Sequence, residues 1–401
     1  MIDLDVPKKL QPLLEMANGV AKSMFRPISR QYDVAEHAYP KELDSLGALL
    51  DAMNEGGRIR AGVGGLKSER DGARGVRNGS NMAVVLGLSE LCWGDCGLTL
   101  TIPRQGLGNA AIGAVANEEQ RERFRGLWAA MAITEPDAGS DAAAIRTTAV
   151  LDGGEWVLNG EKIFVTCGER ADAVVVWATL DPSRGRAAIK SFLVPKGTPG
   201  MQLVRLEKKL GIRASDTATL SFRGCRIPKD NLLGSPEIRA RGGFAGVMQT
   251  FDNTRPSVAA MAIGVARASL ELTREILARE GLRVDHRSGL YCGHAAGLAL
   301  RQMEADLEAA RLLTLKAAWM ADNGMPNSTE ASMAKAKAGR VGNEITLRCV
   351  ALCGAAAYSE RELLEKWARD SKILDIFEGT QQIQLLIVAR RLLGKSSQAL
   401  K

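Results

Sequence analysis

Residues 147–166, TTAVLDGGEWVLNGEKIFVT, constrain the fold more than any other stretch. Apolar and polar side chains alternate there around two turn signals, Asp152-Gly153-Gly154 and Asn159-Gly160. Period two marks a strand with one buried face, and Asn-Gly or Gly-Gly pairs supply the left-handed residues of tight hairpins. The runs AVVVWATL (173–180), IKSFLVPKG (189–197) and TATLSFRGC (217–225) continue as short strands. A small β-barrel or sandwich is expected over residues 128–236.

Helical spacing lies on both sides. PKKLQPLLEMANGVAKSMFRPISRQYD (7–33) and NMAVVLGLSELCWGDCGLTLTI (81–102) place apolar residues at helical intervals. The glycine- and charge-rich GVGGLKSERDGARGV (62–76) between them reads as a loop, without the glycine-bracketed Lys-Ser/Thr of a phosphate loop. Toward the C-terminus, NSTE (327–330) and SERE (359–362) resemble capping boxes. TQQIQLLIVARRLLG offers Thr380 as N-cap and Gly394 as C-cap. Roughly four helices of this length form an antiparallel bundle. The 401 residues are too many for one ordinary core. They divide into a helical segment 1–127, a β segment 128–236 and a helical bundle 237–401, an α+β fold that is mainly α.

Composition removes several function classes. The net charge of +7 is diffuse, with no Lys/Arg tract interleaved with aromatics, so nucleic acid is not an expected partner. No apolar run approaches the roughly 20 residues of a membrane span, and the polar opening MIDLDVPKKL predicts no signal peptide. Seven cysteines, odd in number and scattered, suit a reducing cytoplasm. Cys92 and Cys96 have no further cysteine or histidine nearby, so no metal site is expected, and three histidines give histidine catalysis little material.

Separated blocks then match one family in order. AITEPDAGSD (132–141), KIFVT (162–166), FDNTRPSVAAMAIGVA (251–266) and RDSKILDIFEGTQQIQLLIVAR (369–390) resemble the acyl-CoA dehydrogenases, the last block most closely the medium-chain type. The resemblance implies a helical domain, a β-domain and a C-terminal four-helix bundle. It also implies FAD as cofactor, oxidation of an acyl-CoA thioester to trans-2-enoyl-CoA, and an electron-transfer flavoprotein as acceptor.

Such a reaction removes a weakly acidic proton from Cα and a hydride from Cβ, so a carboxylate must face one carbon and flavin N5 the other with water excluded. Glu378 occupies the family's catalytic position in the loop before the last helix. Burial raises its pKa, while the positive end of the following helix favours its ionised form. Phe377 would supply an apolar wall and Gly379 a close backbone approach to substrate. The alternative for Glu378 is a solvated loop carboxylate before a capped helix.

By the same resemblance, Met131, Ile133, Thr134, Gly139 and Ser140 wrap the flavin and its phosphates, with Ser140 also near the substrate; the alternative is an ordinary polar turn. Phe164, Val165 and Thr166 line the ring, Thr166 reaching N5. Most relatives carry tryptophan at the place of Phe164, for which a core strand aromatic is the alternative, and asparagine at Cys167. Asp252 and Arg255, three apart on a helix, take the CoA arm, with Arg390 a weaker candidate; an exposed ion pair is the alternative. Thr380 and Gln382 contact FAD, and for Thr380 an N-cap role can coexist.

The pattern breaks at the half-site that, in homotetrameric relatives, holds the ADP half of the neighbour's FAD. There the family's R-x-x-F-G and Q-x-x-G-G-x-G segments correspond to RVDHR (283–287) and ALCGAAA (351–357). Arg283 can survive, but the Phe-Gly pair is gone, glutamine becomes Ala351, and two glycines become Ala355 and Ala357. Two lost hydrogen bonds to a charged group, roughly 1.5–3 kcal/mol each, weaken FAD by on the order of 10² to 10⁴. The expectation is a base-carrying subunit of a heteromer, such as an α2β2 tetramer, whose homologous partner supplies the ADP half-site. Drift within a homotetramer is the alternative. Two other functions compete with dehydrogenation: an acyl-CoA oxidase, and a non-catalytic scaffold subunit.

Overall fold

The computed structural model describes residues 6–55, 79–238, 245–287, 289 and 293–396, and side chains are described except at 53–55 and 245–253. The predicted loop 62–76 lies outside the described residues. Helices come first: α1 (Gln11–Val20), α2 (Arg26–Val34), α3 (Leu43–Glu55), α4 (Ser80–Gly94), α5 (Cys96–Thr99), α6 (Leu107–Val115) and α7 (Glu118–Arg123). α4 is apolar on nearly every side because α1 and two long C-terminal helices, over 245–279 and 295–322, pack against it. The helix expected over 81–102 breaks at Asp95, whose extended backbone lets its carboxylate cap α5 through the Leu98 amide at 2.8 Å.

Seven strands follow: β1 (Ala129–Ala132), β2 (Thr148–Asp152), β3 (Glu155–Thr166), β4 (Ala173–Thr179), β5 (Ile189–Pro195), β6 (Met201–Leu206) and β7 (Thr217–Pro228). They form one mixed sheet in the order β1-β4-β2-β3-β7-β6, with β5 paired to β4. The four predicted strand regions are present. β1 and β6 were not anticipated, since AAMA is too short for a period and MQLVRL leaves mostly exposed side chains. Trp156, Leu158, Val165, Val176, Phe192 and Phe222 fill the core of this part.

Gly153 and Gly154, at φ +60° and +89°, make the predicted β2–β3 turn. Asn159-Gly160 makes none. It lies inside β3 at a register shift against β7, where a Cβ on Gly160 would sit 2.4 Å from Thr147 Oγ1. Close packing, not chain reversal, requires this glycine.

The C-terminal part contains α8 (Ala245–Arg279), α9 (Ala295–Asp322), α10 (Ser328–Cys353), α11 (Ala355–Tyr358), α12 (Leu364–Ser371) and α13 (Gln381–Leu392). α10 is central, packing on α8, α9, α12 and α13. Its start falls at the predicted NSTE, but Asn327 makes no capping bond; its amide turns inward to donate to Ala317 O at 3.0 Å. SERE opens no helix, because Ser359 ends α11 and α12 begins at Leu364. Thr380 does cap α13, accepting from Ile383 N at 3.3 Å. Gly394, at φ +63°, closes it: Gly394 N donates to Arg391 O and Lys395 N to Arg390 O.

One buried polar hub ties the three parts together. Lys366, on α12, donates to Asp95 at 2.7 Å and to Asp370 at 2.6 Å, and Asp370 accepts Ile212 N from the β part at 2.6 Å. Beside it the Arg26 guanidinium lies 3.8 Å from the Trp93 ring and 4.4 Å from that of Trp367. α12 is thereby fixed eight residues before Glu378.

Candidate active site

Glu378 and Gly379 occupy the turn that carries the chain into α13, with φ +57° and +89°. Two successive left-handed residues are costly for glutamate, so the turn must be held from outside. Gln384, fully buried, donates its amide to Glu378 O at 3.0 Å and Gly379 O at 3.2 Å. Lys335, on α10 and also fully buried, donates to Gly379 O at 2.7 Å. The Thr254 hydroxyl on α8 donates to Glu378 Oε2 at 2.8 Å.

The Glu378 side chain is thus half-buried among α8, α10 and α13, not a solvated loop group. Its pKa is raised: burial is the largest cause, opposed by the Thr254 hydrogen bond and the Arg255 and Lys335 charges. Burial prevails over that hydrogen bond and those two charges. Phe377 packs against the C-terminal helical core.

The second group sits on the β part. Glu135 is buried in the TEPDAGSD turn and accepts from Arg146 N at 2.6 Å, Thr147 N at 2.9 Å, Thr147 Oγ1 at 2.6 Å and Lys162 Nζ at 2.7 Å. Lys162 also donates to Ile133 O at 3.0 Å, and Ile163 N to Thr134 O at 2.9 Å. These bonds lash the turn to β3. Gly139 and Ser140 are left exposed at its tip, with Met131, Ile133 and Thr134 half-buried behind them.

β3 shifts register against β7 between Lys162 and Val165, and the shift everts Phe164, at φ +58° and 60% exposed. Phe164 is therefore not a core strand aromatic. Val165 points into the β core, and Thr166 is half-buried opposite Thr217. Of the six non-glycine residues described with positive φ, Phe164, Cys167 and Glu378 fall in the segments singled out from sequence, as strained residues tend to cluster at functional sites.

The two groups are linked through the hub. α12 carries the chain toward Glu378, while its Asp370 holds Ile212, five residues before Thr217.

Arg255 is buried on α8, and its charge bears on Glu378. The side chain of Asp252 lies outside the described residues. Arg390 is half-buried on α13 and Gln382 exposed. Thr254 and Gln384 lie inside the matched blocks without being candidates there, and Lys335 carries no signal in the sequence. Lys335 differs from Lys337, half-exposed and paired with Asp306 at 2.7 Å, only by which side of α10 faces inward. At the altered half-site, Ala351, Ala355 and Arg283 are exposed, but Ala357 is completely buried. Its methyl packs in the C-terminal helical core.

No helix among the described residues is long and apolar enough to cross a membrane. Models for the acyl-CoA dehydrogenase middle domain and C-terminal domain match residues 130–225 and 241–393. The short-chain specific acyl-CoA dehydrogenase of Rattus norvegicus mitochondria is 34% identical, over 97% of this chain and 91% of the relative. Butyryl-CoA dehydrogenase from Megasphaera elsdenii superposes with a TM-score of 0.81 at 30% identity, covering 98% of this chain and all of that one. A chain in the structure described as the electron transferring flavoprotein of Acidaminococcus fermentans gives a TM-score of 0.82 at 32% identity, with 98% and 100% coverage. Similarity of this extent, over a turn that holds one half-buried carboxylate, makes the chain a member of the acyl-CoA dehydrogenase family.

Proposed function

We propose that this acyl-CoA dehydrogenase uses Glu378 as the base that removes the Cα proton of an acyl-CoA thioester. The observation that carries the reading is the setting of that carboxylate, in a left-handed turn anchored by Lys335 and Gln384 and oriented by Thr254. Thr254 donates to Oε2 and orients the carboxylate, which keeps lone pairs for the proton. The raised pKa makes Glu378 a stronger base than a solvated carboxylate.

The residues of the β part fit FAD. An everted aromatic at Phe164, the half-buried Thr166 and the exposed Gly139-Ser140 tip offer an apolar face, hydroxyls and amides, the chemistry that a flavin ring and its phosphates require. Bound FAD supplies at N5 the acceptor for the Cβ hydride. Met131, Ile133, Thr134, Gly139, Ser140, Phe164, Val165, Thr166, Thr380 and Gln382 would hold it. Asp252, Arg255 and Arg390, with Ser140 and Gly379, would take the substrate. The product is a trans-2-enoyl-CoA, and an electron-transfer flavoprotein is the proposed electron acceptor.

Replacing Glu378 by Gln tests the base. The rate of flavin bleaching by butyryl-CoA in the FAD-loaded enzyme is expected to fall roughly 10²–10⁴-fold; a rate within twofold of the parent overturns the assignment.

We further propose that a homologous subunit completes the ADP half-site, supported by exposed Ala351 and Ala355 where the family presents glutamine and glycine. Flavin per chain, read by absorbance, should be low for this chain alone and rise on co-expression with such a subunit. Full occupancy alone refutes the heteromer.

A further inference from the structure

Three lysines of the described chain are completely or almost completely buried: Lys162, Lys335 and Lys366. Two are explained by direct ion pairs, Lys162 with Glu135 at 2.7 Å and Lys366 with Asp95 and Asp370 at 2.7 and 2.6 Å. Lys335 has no such partner. Its hydrogen bond goes to a backbone carbonyl, Gly379 O, which already accepts from Gln384. A buried ammonium costs several kcal/mol, and a neutral amide would serve that carbonyl equally well. The positive charge itself therefore has another use.

We propose that Lys335 is a positioning residue for Glu378, its ammonium fixing the Gly379 carbonyl and biasing the neighbouring carboxylate toward its ionised form. The inference rests on Glu378 being the base. The charged groups that bear on Lys335 come from each side: Asp375 and Glu378 from the segment before α13, favouring its protonated form, and Arg255 from α8, opposing it. Burial outweighs them and brings the Lys335 pKa down to about 8. In return, Lys335 and Arg255 together hold the Glu378 pKa below what burial alone would set.

The test compares the parent with K335M and K335R. Because Gln384 still donates to Gly379 O, loss of Lys335 leaves that carbonyl paired, and K335M should fold; K335Q serves for the same measurements if it does not. Infrared difference spectra, with the Glu378 band assigned by its absence in E378Q, follow protonation of the carboxyl without needing turnover. The midpoint is expected to move up by about one pH unit in K335M and to stay near the parent value in K335R. In the FAD-loaded enzyme, K335M should lose about tenfold in kcat at pH values below its new midpoint and recover at high pH, with little change in KM. An unshifted midpoint with a superimposable pH–rate profile overturns the role of Lys335. An active E378Q enzyme instead overturns the base assignment, and the infrared midpoint still reports on Lys335.

Discussion

Replacing Glu135 by Gln probes how the β part is held, and the pH dependence of the damage is its signature. In the parent protein Lys162 is protonated inside the fold up to about pH 8, because burial lowers its pKa from 10.5 and Glu135 limits the fall. Glutamine removes the compensating charge, so the buried lysine sheds its proton at neutral pH. Folding of the variant then expels a proton that the parent keeps, and its stability rises with pH wherever the unfolded chain binds the extra proton.

The gap between parent and variant therefore contains a part of at most about 1.4 kcal/mol for each pH unit below 8, some 2.7 at pH 6 and 1.4 at pH 7. It vanishes at pH 8 and above, where Lys162 is neutral in both folded proteins. A second part is independent of pH. The glutamine NH2 accepts no hydrogen bond, so whichever of Arg146 N and Thr147 N it faces goes unpaired, at about 1–3 kcal/mol. Urea unfolding at pH 6, 7, 8 and 9, with m held as a check on the denatured state, reads both parts. A gap that stays constant from pH 6 to pH 8 refutes the claim that Glu135 keeps Lys162 charged.

Gly379→Ala should destabilise by about 2–5 kcal/mol, from left-handed strain of roughly 1–2 plus displacement of Gln384 Nε2, which would lie 2.4 Å from the new methyl; wild-type-like thermal unfolding and turnover would contradict this. Lys366→Met leaves Asp95 and Asp370 buried without their cation, and a loss of about 3–5 kcal/mol in denaturant unfolding is expected. Glu378→Gln should stabilise the fold while removing activity. A carboxyl whose folded pKa is raised opposes folding above its ordinary range, so the gain in Tm should be present at pH 8 and fade as pH falls below that range.

Local chemistry made much of this protein readable from the sequence. Alternation over 147–166 gave β2 and β3, Gly153-Gly154 their turn, and Thr380 and Gly394 the ends of α13, because each signal acts within a few residues. The motif blocks pointed to Glu378 and to the segment 164–166. Packing decided the rest. Gly160 looks like a turn residue in the sequence, because its true reason, the close approach of Thr147, comes from a segment outside its own strand. Lys335 looks like any helix lysine until α10 turns it toward Gly379. The pKa of Glu378 lies beyond sequence for the same reason: desolvation and the fields of Arg255 and Lys335 depend on distances between segments more than a hundred residues apart, or brought together across α8 and α10, and only the folded chain sets those distances.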